Sequence, residues 1–167
     1  MQPKPVADSR SEITHWMGVT DANSAGNIHG GTIMKLADEA AALAAIKHAG
    51  QRVVTVGMDR MDFLVPIYVG ELVTFRATVN AAWHTSMEVG VRVESENPVV
   101  GSKRHTNTAY LTMVALDADG RPAPVPPLQT QSPLDQRRMR EAELRRANRL
   151  AEREEIIARR AHEGGPA

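Results

Sequence analysis

Residues 32–49 read TIMKLADEAAALAAIKHA, an unbroken run of helix-forming residues that ends where Gly50 supplies a stop signal. Apolar side chains lie on almost every face of the predicted helix, so we expect it to be buried inside a domain. After Gly50 the apolar residues change from a helical spacing to the alternation that is typical of strands. Strands are predicted at 11–19, 52–58, 71–83, 87–93 and 104–116. The sequence therefore indicates an α+β domain in which an antiparallel sheet wraps one long central helix.

The flanking segments differ from this domain, which we place at residues 11–121. Residues 1–10 carry two prolines and no apolar pattern, and we expect a flexible leader there. Residues 122–133 hold five of the ten prolines, which indicates an extended linker rather than another helix or strand. Residues 134–163 are almost wholly Arg, Glu, Ala and Leu. They predict a solvated C-terminal helix whose opposite charges pair with one another.

The overall composition excludes several classes of function. The 167 residues include 20 basic and 20 acidic side chains and no cysteine. The balanced charge gives no reason to expect a nucleic acid as partner, and the lack of cysteine excludes disulfides, zinc-thiolate sites and a cysteine nucleophile. No stretch of about 18 apolar residues is present that could cross a bilayer. We therefore expect a cytoplasmic protein with no membrane insertion.

The loop at residues 21–31, DANSAGNIHGG, joins directly to the central helix. Gly30 and Gly31 would let a ligand approach the first backbone N–H groups of the helix, which have no intrahelical partners and would stabilise an oxyanion. Asn27 can both donate and accept a hydrogen bond, so it could orient a water molecule or hold a carbonyl oxygen. His29 is a further candidate residue of this oxyanion site. Its more common role would be a structural contact at the start of the helix.

Asp38 lies about two turns into the helix, where its neighbours one or two turns away are Met34, Ala41, Ala42 and Ala45. A carboxylate among methyl groups is costly unless water, a substrate or a fixed donor reaches it. This position therefore predicts a functional carboxylate that could accept a proton from water.

In order and spacing, several of these stretches resemble hotdog-fold acyl-CoA thioesterases of the cytosolic (brain) acyl-CoA hydrolase type. The resemblance spans residues 12–128. It is carried by DANSAGNIHGGTIMKLADEAA from residue 21 onward and by the residues at 54–56, 59–66, 86–89 and 124–126. It implies the hydrolysis of an acyl-CoA thioester to free fatty acid and CoA. No metal or cofactor is implied, because coenzyme A is part of the substrate and product.

The same resemblance implies how the site is built. Asp38 and Asn27 would act together from opposite subunits of a hotdog dimer, while the helix start at Gly30 and Gly31 polarises the thioester carbonyl. The dimers would assemble further into a hexamer, a trimer of dimers. Whether Asp38 attacks the carbonyl itself or activates water stays open at this point, and we favour a general base.

Other assignments are less constrained by the sequence. Ser86, Lys103 and Arg104 are candidates for binding the CoA phosphates. An equally good interpretation is that they are ordinary solvated turn residues that bind no ligand. Two other functions also remain open. One is a non-catalytic acyl-CoA-binding regulator, and the other is a hotdog dehydratase or hydratase that would use His29 as its base.

Overall fold

The computed structural model describes residues 1–59, 61–63 and 65–163. Two short 3-10 helices, Val6–Ser9 and Val19–Asp21, lie near the N-terminus. The strands and α-helices are, in chain order, β1 (Lys4–Pro5), β2 (Ser11–Trp16), α1 (Gly30–Ala49), β3 (Arg52–Met58), β4 (Leu72–Ala82), β5 (Ser86–Asn97), β6 (Ser102–Leu116), β7 (Leu128–Gln129) and α2 (Pro133–His162). The predicted central helix and the five predicted strands are confirmed, with small differences at their ends.

The five long strands form one antiparallel sheet in the order β2-β4-β5-β6-β3, and the sheet encloses α1. Alternate residues of β4 and β5 point towards the helix and are fully buried, as in Val73, Phe75 and Val89. The helix meets them with alanines that are also inaccessible, such as Ala37 and Ala41. Because these side chains are small, the sheet can approach the helix closely. The expected α+β hotdog fold is confirmed.

One face of α1 departs from the prediction that the helix is buried on all sides. Leu43 and Ile46, which lie three residues apart on this face, are each more than two-fifths exposed. The neighbouring edge strand β3 also exposes Val54 and Val56. The helix is therefore covered by its own sheet on one side and leaves an apolar strip on the other.

The flexible leader expected at residues 1–10 is wrong for residues 4–9. Lys4 and Pro5 pair in parallel with Leu128 and Gln129, so β1 and β7 form a small second sheet. The hydroxyl of Ser9, which is fully buried, donates to the Val6 carbonyl at 2.7 Å and accepts the backbone N–H of Val79 at 3.0 Å. The prolines favour extended backbone here, and the polar groups find partners.

The proline-rich segment packs along the same side of the domain as the leader. The backbone N–H of Val125 donates to the His84 carbonyl at 3.0 Å, and the Val125 side chain is buried. Gln51 donates to the Pro124 carbonyl at 2.8 Å. The proline-rich segment is thus attached to the domain, and its last residue, Pro133, already belongs to α2. The linker boundaries at residues 121 and 133 stay predictions.

The C-terminal helix α2 is only partly the solvated, self-paired helix that its composition predicts. Ser132 caps it by accepting the N–H of Asp135, and Arg137 pairs with Glu141 within the helix. Residues 150–163 are exposed. The expectation is wrong for residues 142–149, because Ala142 is fully buried and Arg145 binds Glu88 of β5. Neither α-helix of the described chain combines the length and apolar character that crossing a membrane requires.

His48, near the end of α1, is fully buried against the proline-rich segment. Its Nε2 lies 2.8 Å from the Pro126 carbonyl oxygen, which can only accept, so Nε2 carries the proton. Its Nδ1 is buried and has no hydrogen-bond partner among the described residues. Burial lowers the pKa of His48 below its ordinary value of 6.5, and the nearby Lys4 ammonium lowers it further.

This histidine predicts that the protein loses stability as the pH falls through about 6.5. The unfolded chain binds a proton at the ordinary pKa, whereas the folded chain resists it, so stability is complete above that pH and declines below it. The expected loss is at most about 1.4 kcal/mol per pH unit for one group. Urea unfolding at about pH 7.5 and pH 5.5 measures it.

Matched variants isolate the contribution of this one side chain. His48→Gln keeps a donor for the Pro126 carbonyl but has no proton to take up, so it should flatten the pH dependence. His84→Gln, at an exposed histidine, should leave the dependence unchanged. An identical pH dependence in wild type and His48→Gln would contradict the assignment.

Candidate active site

The loop before α1 is closed at its base by Asp21. Its carboxylate accepts the backbone N–H of Gly18 at 2.8 Å and lies 3.2 Å from Nε2 of His15. The Gly18 hydrogen bond, with a smaller contribution from His15, lowers the pKa of Asp21 below its ordinary value. The Asp21 carbonyl in turn accepts the backbone N–H of His29 at 2.8 Å. Both ends of the loop are therefore held at Asp21, directly before the helix.

Two asparagines form the tight turn within this loop. The side-chain oxygen of Asn23 accepts the backbone N–H of Ala25 at 2.9 Å and that of Asn27 at 3.3 Å. The backbone N–H of Asn23 donates to the Asn27 carbonyl at 2.7 Å, and Gly26 supplies the positive φ of 85° that the turn needs. The Asn23 side chain is thus fixed by its oxygen. Within the described residues its amide nitrogen donates to no other group.

Asn27, the asparagine singled out from the sequence, is held mainly through its backbone. It forms an antiparallel bridge with Tyr68, and its side chain makes no hydrogen bond to any described residue. Both asparagines are half-buried. The structure thus places two side-chain amides beside the helix start, and sequence reasoning considered only the second.

The start of α1 presents one unpaired backbone donor. Nδ1 of His29 accepts the N–H of Gly31 at 3.0 Å, so His29 acts as the N-cap. The N–H of Gly30 has no acceptor in the described part of the chain. The ring of Phe63 covers this glycine, since a Cβ built at Gly30 would lie 3.5 Å from the ring. Of the predicted backbone pair, Gly30 is available to a ligand, and Gly31 would first have to leave His29.

The Asp38 carboxylate lies among apolar side chains and accepts a hydrogen bond from a fixed donor. The hydroxyl of Thr55 in β3 donates to Asp38 Oδ1 at 2.5 Å and lies 3.3 Å from the Met113 sulfur. The second carboxylate oxygen has no partner among the described residues, and the side chain is half-buried. Thr55 was missed by sequence reasoning because threonine is common in strands, and nothing local marks it as a partner of the helix.

The two halves of the site are far apart within one chain. Asp38 lies eight residues after Gly30, which corresponds to about 12 Å along the helix axis. The Gly30 N–H and the Asp38 carboxylate of one chain therefore lie about two turns of α1 apart.

The three candidates for CoA phosphates do not form one site. Lys103 pairs with Glu96 at 3.1 Å, and Arg104 donates to both oxygens of Glu71 at 2.7 and 2.8 Å. Ser86 lies at the opposite end of β5, ten residues before Glu96 and therefore about 33 Å away. Across the described ranges, no cluster of three or more His, Asp or Glu residues has the geometry of a metal site.

Comparisons with known proteins agree with this architecture. A family model described as the thioesterase superfamily matches residues 25–102. The human cytosolic acyl coenzyme A thioester hydrolase is 33% identical over 92% of this chain, which spans 41% of the human protein's length. Among solved structures, an apo-hexameric acyl-CoA thioesterase is 39% identical, with a TM-score of 0.87 over 91% of this chain and 97% of that chain.

A second solved structure adds a ligand and a set of mutants. The acyl-CoA hydrolase of Staphylococcus aureus, in complex with butyryl coenzyme A, coenzyme A and coenzyme A disulfide, is 32% identical, with a TM-score of 0.86. The match covers 96% of this chain and 98% of that one. The same hydrolase has been solved with one asparagine, one aspartate or one threonine replaced by alanine. The three replaced residues are well separated in that protein's sequence and occur in the order asparagine, aspartate, threonine.

Proposed function

Because the chain belongs to the thioesterase superfamily, we propose that it hydrolyses acyl-CoA thioesters to free fatty acid and CoA at a site that two copies build together. The observation that carries the proposal is the Asp38 carboxylate, which Thr55 fixes through one oxygen while the other has no partner among the described residues. The named activity of the human and Staphylococcus aureus relatives supports the choice of an acyl-CoA substrate. The cytosolic relative also supports a cytoplasmic location.

In the proposed reaction Asp38 acts as a general base. Its free oxygen takes a proton from water while the water oxygen bonds to the thioester carbonyl carbon. The resulting oxyanion is stabilised by the N–H of Gly30, at the positive end of the helix, and Gly31 becomes a second donor when its N–H leaves His29. The carbon–sulfur bond then breaks, and the CoA thiolate leaves with the proton that Asp38 had accepted. No metal or cofactor takes part in these steps.

Self-association is the second part of the proposal. The separation of about 12 Å along α1, together with the hexameric relative, favours a site in which Asp38 and the loop come from different subunits. Leu43 and Ile46 leave apolar surface exposed on α1, and the edge strand β3 has an unpaired side that is suited to pairing with a second copy. We propose a dimer through these surfaces, assembled further into a hexamer as in the hexameric relative.

We further propose that Asn23 holds the substrate carbonyl or the attacking water. The intervals that separate Asn23, Asp38 and Thr55 along the chain are the same as those between the three residues replaced in the Staphylococcus aureus hydrolase. Asn27 lies too close to Asp38 in the sequence to match that spacing. The side-chain oxygen of Asn23 is also fixed by the turn, which points its amide nitrogen in one direction. Asn27, expected from the sequence, is the alternative.

Contacts to the CoA phosphates stay a prediction. A phosphate at Lys103 would have to displace Glu96, and one at Arg104 would have to displace the bidentate Glu71. Ser86 lies too far from both to share a phosphate with them.

The catalytic role of Asp38 predicts a loss of turnover without a loss of folding. Asp38→Asn keeps an oxygen acceptor for the Thr55 hydroxyl but cannot take a proton, so kcat for thiol release from palmitoyl-CoA should fall by about 10² or more. Glu39→Gln, at the adjacent exposed carboxylate that pairs with Lys35, is the matched control and should be unaffected.

The other outcomes of this assay would contradict either the role of Asp38 or the hydrolase function. A wild-type rate in Asp38→Asn would exclude Asp38 as the base. The absence of turnover with any acyl-CoA in the wild type would favour a non-catalytic acyl-CoA-binding regulator. Consumption of a hydroxyacyl or enoyl thioester without thiol release would favour the dehydratase or hydratase.

The two asparagines can be separated by the same assay. Asn23→Asp keeps the oxygen that accepts from Ala25 but replaces the amide donor with a negatively charged carboxylate oxygen, so kcat should fall by more than about tenfold while the loop stays intact. Asn27→Asp should retain most of the wild-type rate. The reverse pattern would give Asn27 the role that the sequence first suggested.

A further inference from the structure

Glu88 of β5 anchors α2 to the outer face of the sheet. It is completely buried, and its two oxygens accept the Arg145 guanidinium in a bidentate arrangement, at 3.0 and 2.7 Å. Asn80 donates to the same carboxylate at 3.1 Å. The Arg145 guanidinium also lies 3.6 Å from the centroid of the Tyr110 ring. A buried carboxylate with this many donors fixes the position of the helix.

Arg149 lies one turn further along α2 and reaches a different part of the molecule. Its guanidinium donates to the Asp59 carboxylate at 2.7 Å and lies 3.8 Å from Glu88. Asp59 directly follows β3, and its backbone N–H donates to the Tyr110 carbonyl at 2.8 Å. Both the side chain and the backbone of Asp59 are therefore held.

The residues that follow Asp59 lead back to the start of α1. The carbonyl of Asp62 accepts a hydrogen bond from Asn107, and the ring of Phe63 packs over Gly30. Gly30 carries the unpaired N–H that would stabilise the oxyanion. Asp59, which Arg149 holds, thus precedes Phe63, the cover of the oxyanion donor, by four residues.

We propose that Arg149 is a positioning residue for catalysis, which fixes Phe63 over Gly30 by holding Asp59. The proposal rests on the hydrolase function proposed above. It gives α2 a role in the reaction although the helix lies on the opposite face of the sheet from α1.

A purely structural role for Arg149 explains less of the geometry. The side chains of Arg149 and Asp59 are 30% and 23% exposed, and pairs with this access to water add little to stability. Arg145 already docks the helix through the fully buried Glu88. The contact of Arg149 with Asp59 is therefore not needed to hold α2 in place, and its specific consequence is the position of the chain after β3.

The test compares two arginines on the same helix. Arg149→Met should lower kcat for palmitoyl-CoA about tenfold with little change in KM, because a displaced Phe63 admits water to the Gly30 donor and weakens its stabilisation of the oxyanion. Arg146→Met removes a guanidinium that stacks on Trp83 at 4.7 Å and should leave kcat unchanged. Arg149→Lys should recover part of the rate. Asp59→Asn should match Arg149→Met, and the double variant should lose no more than either single variant.

Hydrogen exchange gives a readout that does not depend on activity. The amide of Asp59, which donates to the Tyr110 carbonyl, should exchange about tenfold faster in Arg149→Met and at the wild-type rate in Arg146→Met. Unchanged exchange in Arg149→Met, or equal kcat in the two arginine variants, would overturn the positioning role. If the wild type shows no Asp38-dependent turnover, the proposed function fails, and the exchange result alone decides whether Arg149 holds this segment.

Discussion

The packing of an alanine-rich helix against a curved sheet is the constraint on which the rest of this structure depends. Ala37, Ala41 and Ala44 are inaccessible because the strands pass directly over them. Larger side chains at these positions would push the sheet away, and overpacking of this kind destabilises a core. Their small size lets the sheet follow the helix along its length. Every polar group of the candidate site is placed relative to that helix.

The same helix explains why a single chain holds the parts of an active site without assembling them. Its N-terminus offers the Gly30 N–H, and its second turn offers Asp38, which Thr55 of the edge strand orients. The rigid helix keeps these groups about 12 Å apart. Leu43 and Ile46 leave apolar surface exposed on the same helix. The apolar surface that favours association and the two separated parts of the site therefore lie on one helix.

The sequence predicted those features whose signals are local. Long periodic runs gave α1 and the five long strands, whereas β1 and β7 have two residues each, too few for any period. Thr55 and the Glu88–Arg145 pair were missed because their partners lie 17 and 57 residues away. Opposite charges four residues apart suggested ion pairs within α2. Arg145 instead binds Glu88 on the sheet, because a buried carboxylate without a cation would cost more free energy than an unpaired charge in water. Asn23 and Asn27 share one loop and one chemistry, and what distinguishes them is the turn geometry together with their distance along the chain from Asp38.

Mixing of subunits tests the composite site most directly. Asp38→Asn and whichever loop-asparagine variant is inactive by itself are dissociated, combined in equal amounts and reassembled. Random pairing makes half of the dimers hybrids with one intact site each, so thiol release should return to about a quarter of the wild-type rate. Each variant reassembled by itself should stay inactive. A mixture that also stays inactive, although hybrids are shown to form, would contradict an active site shared between two copies.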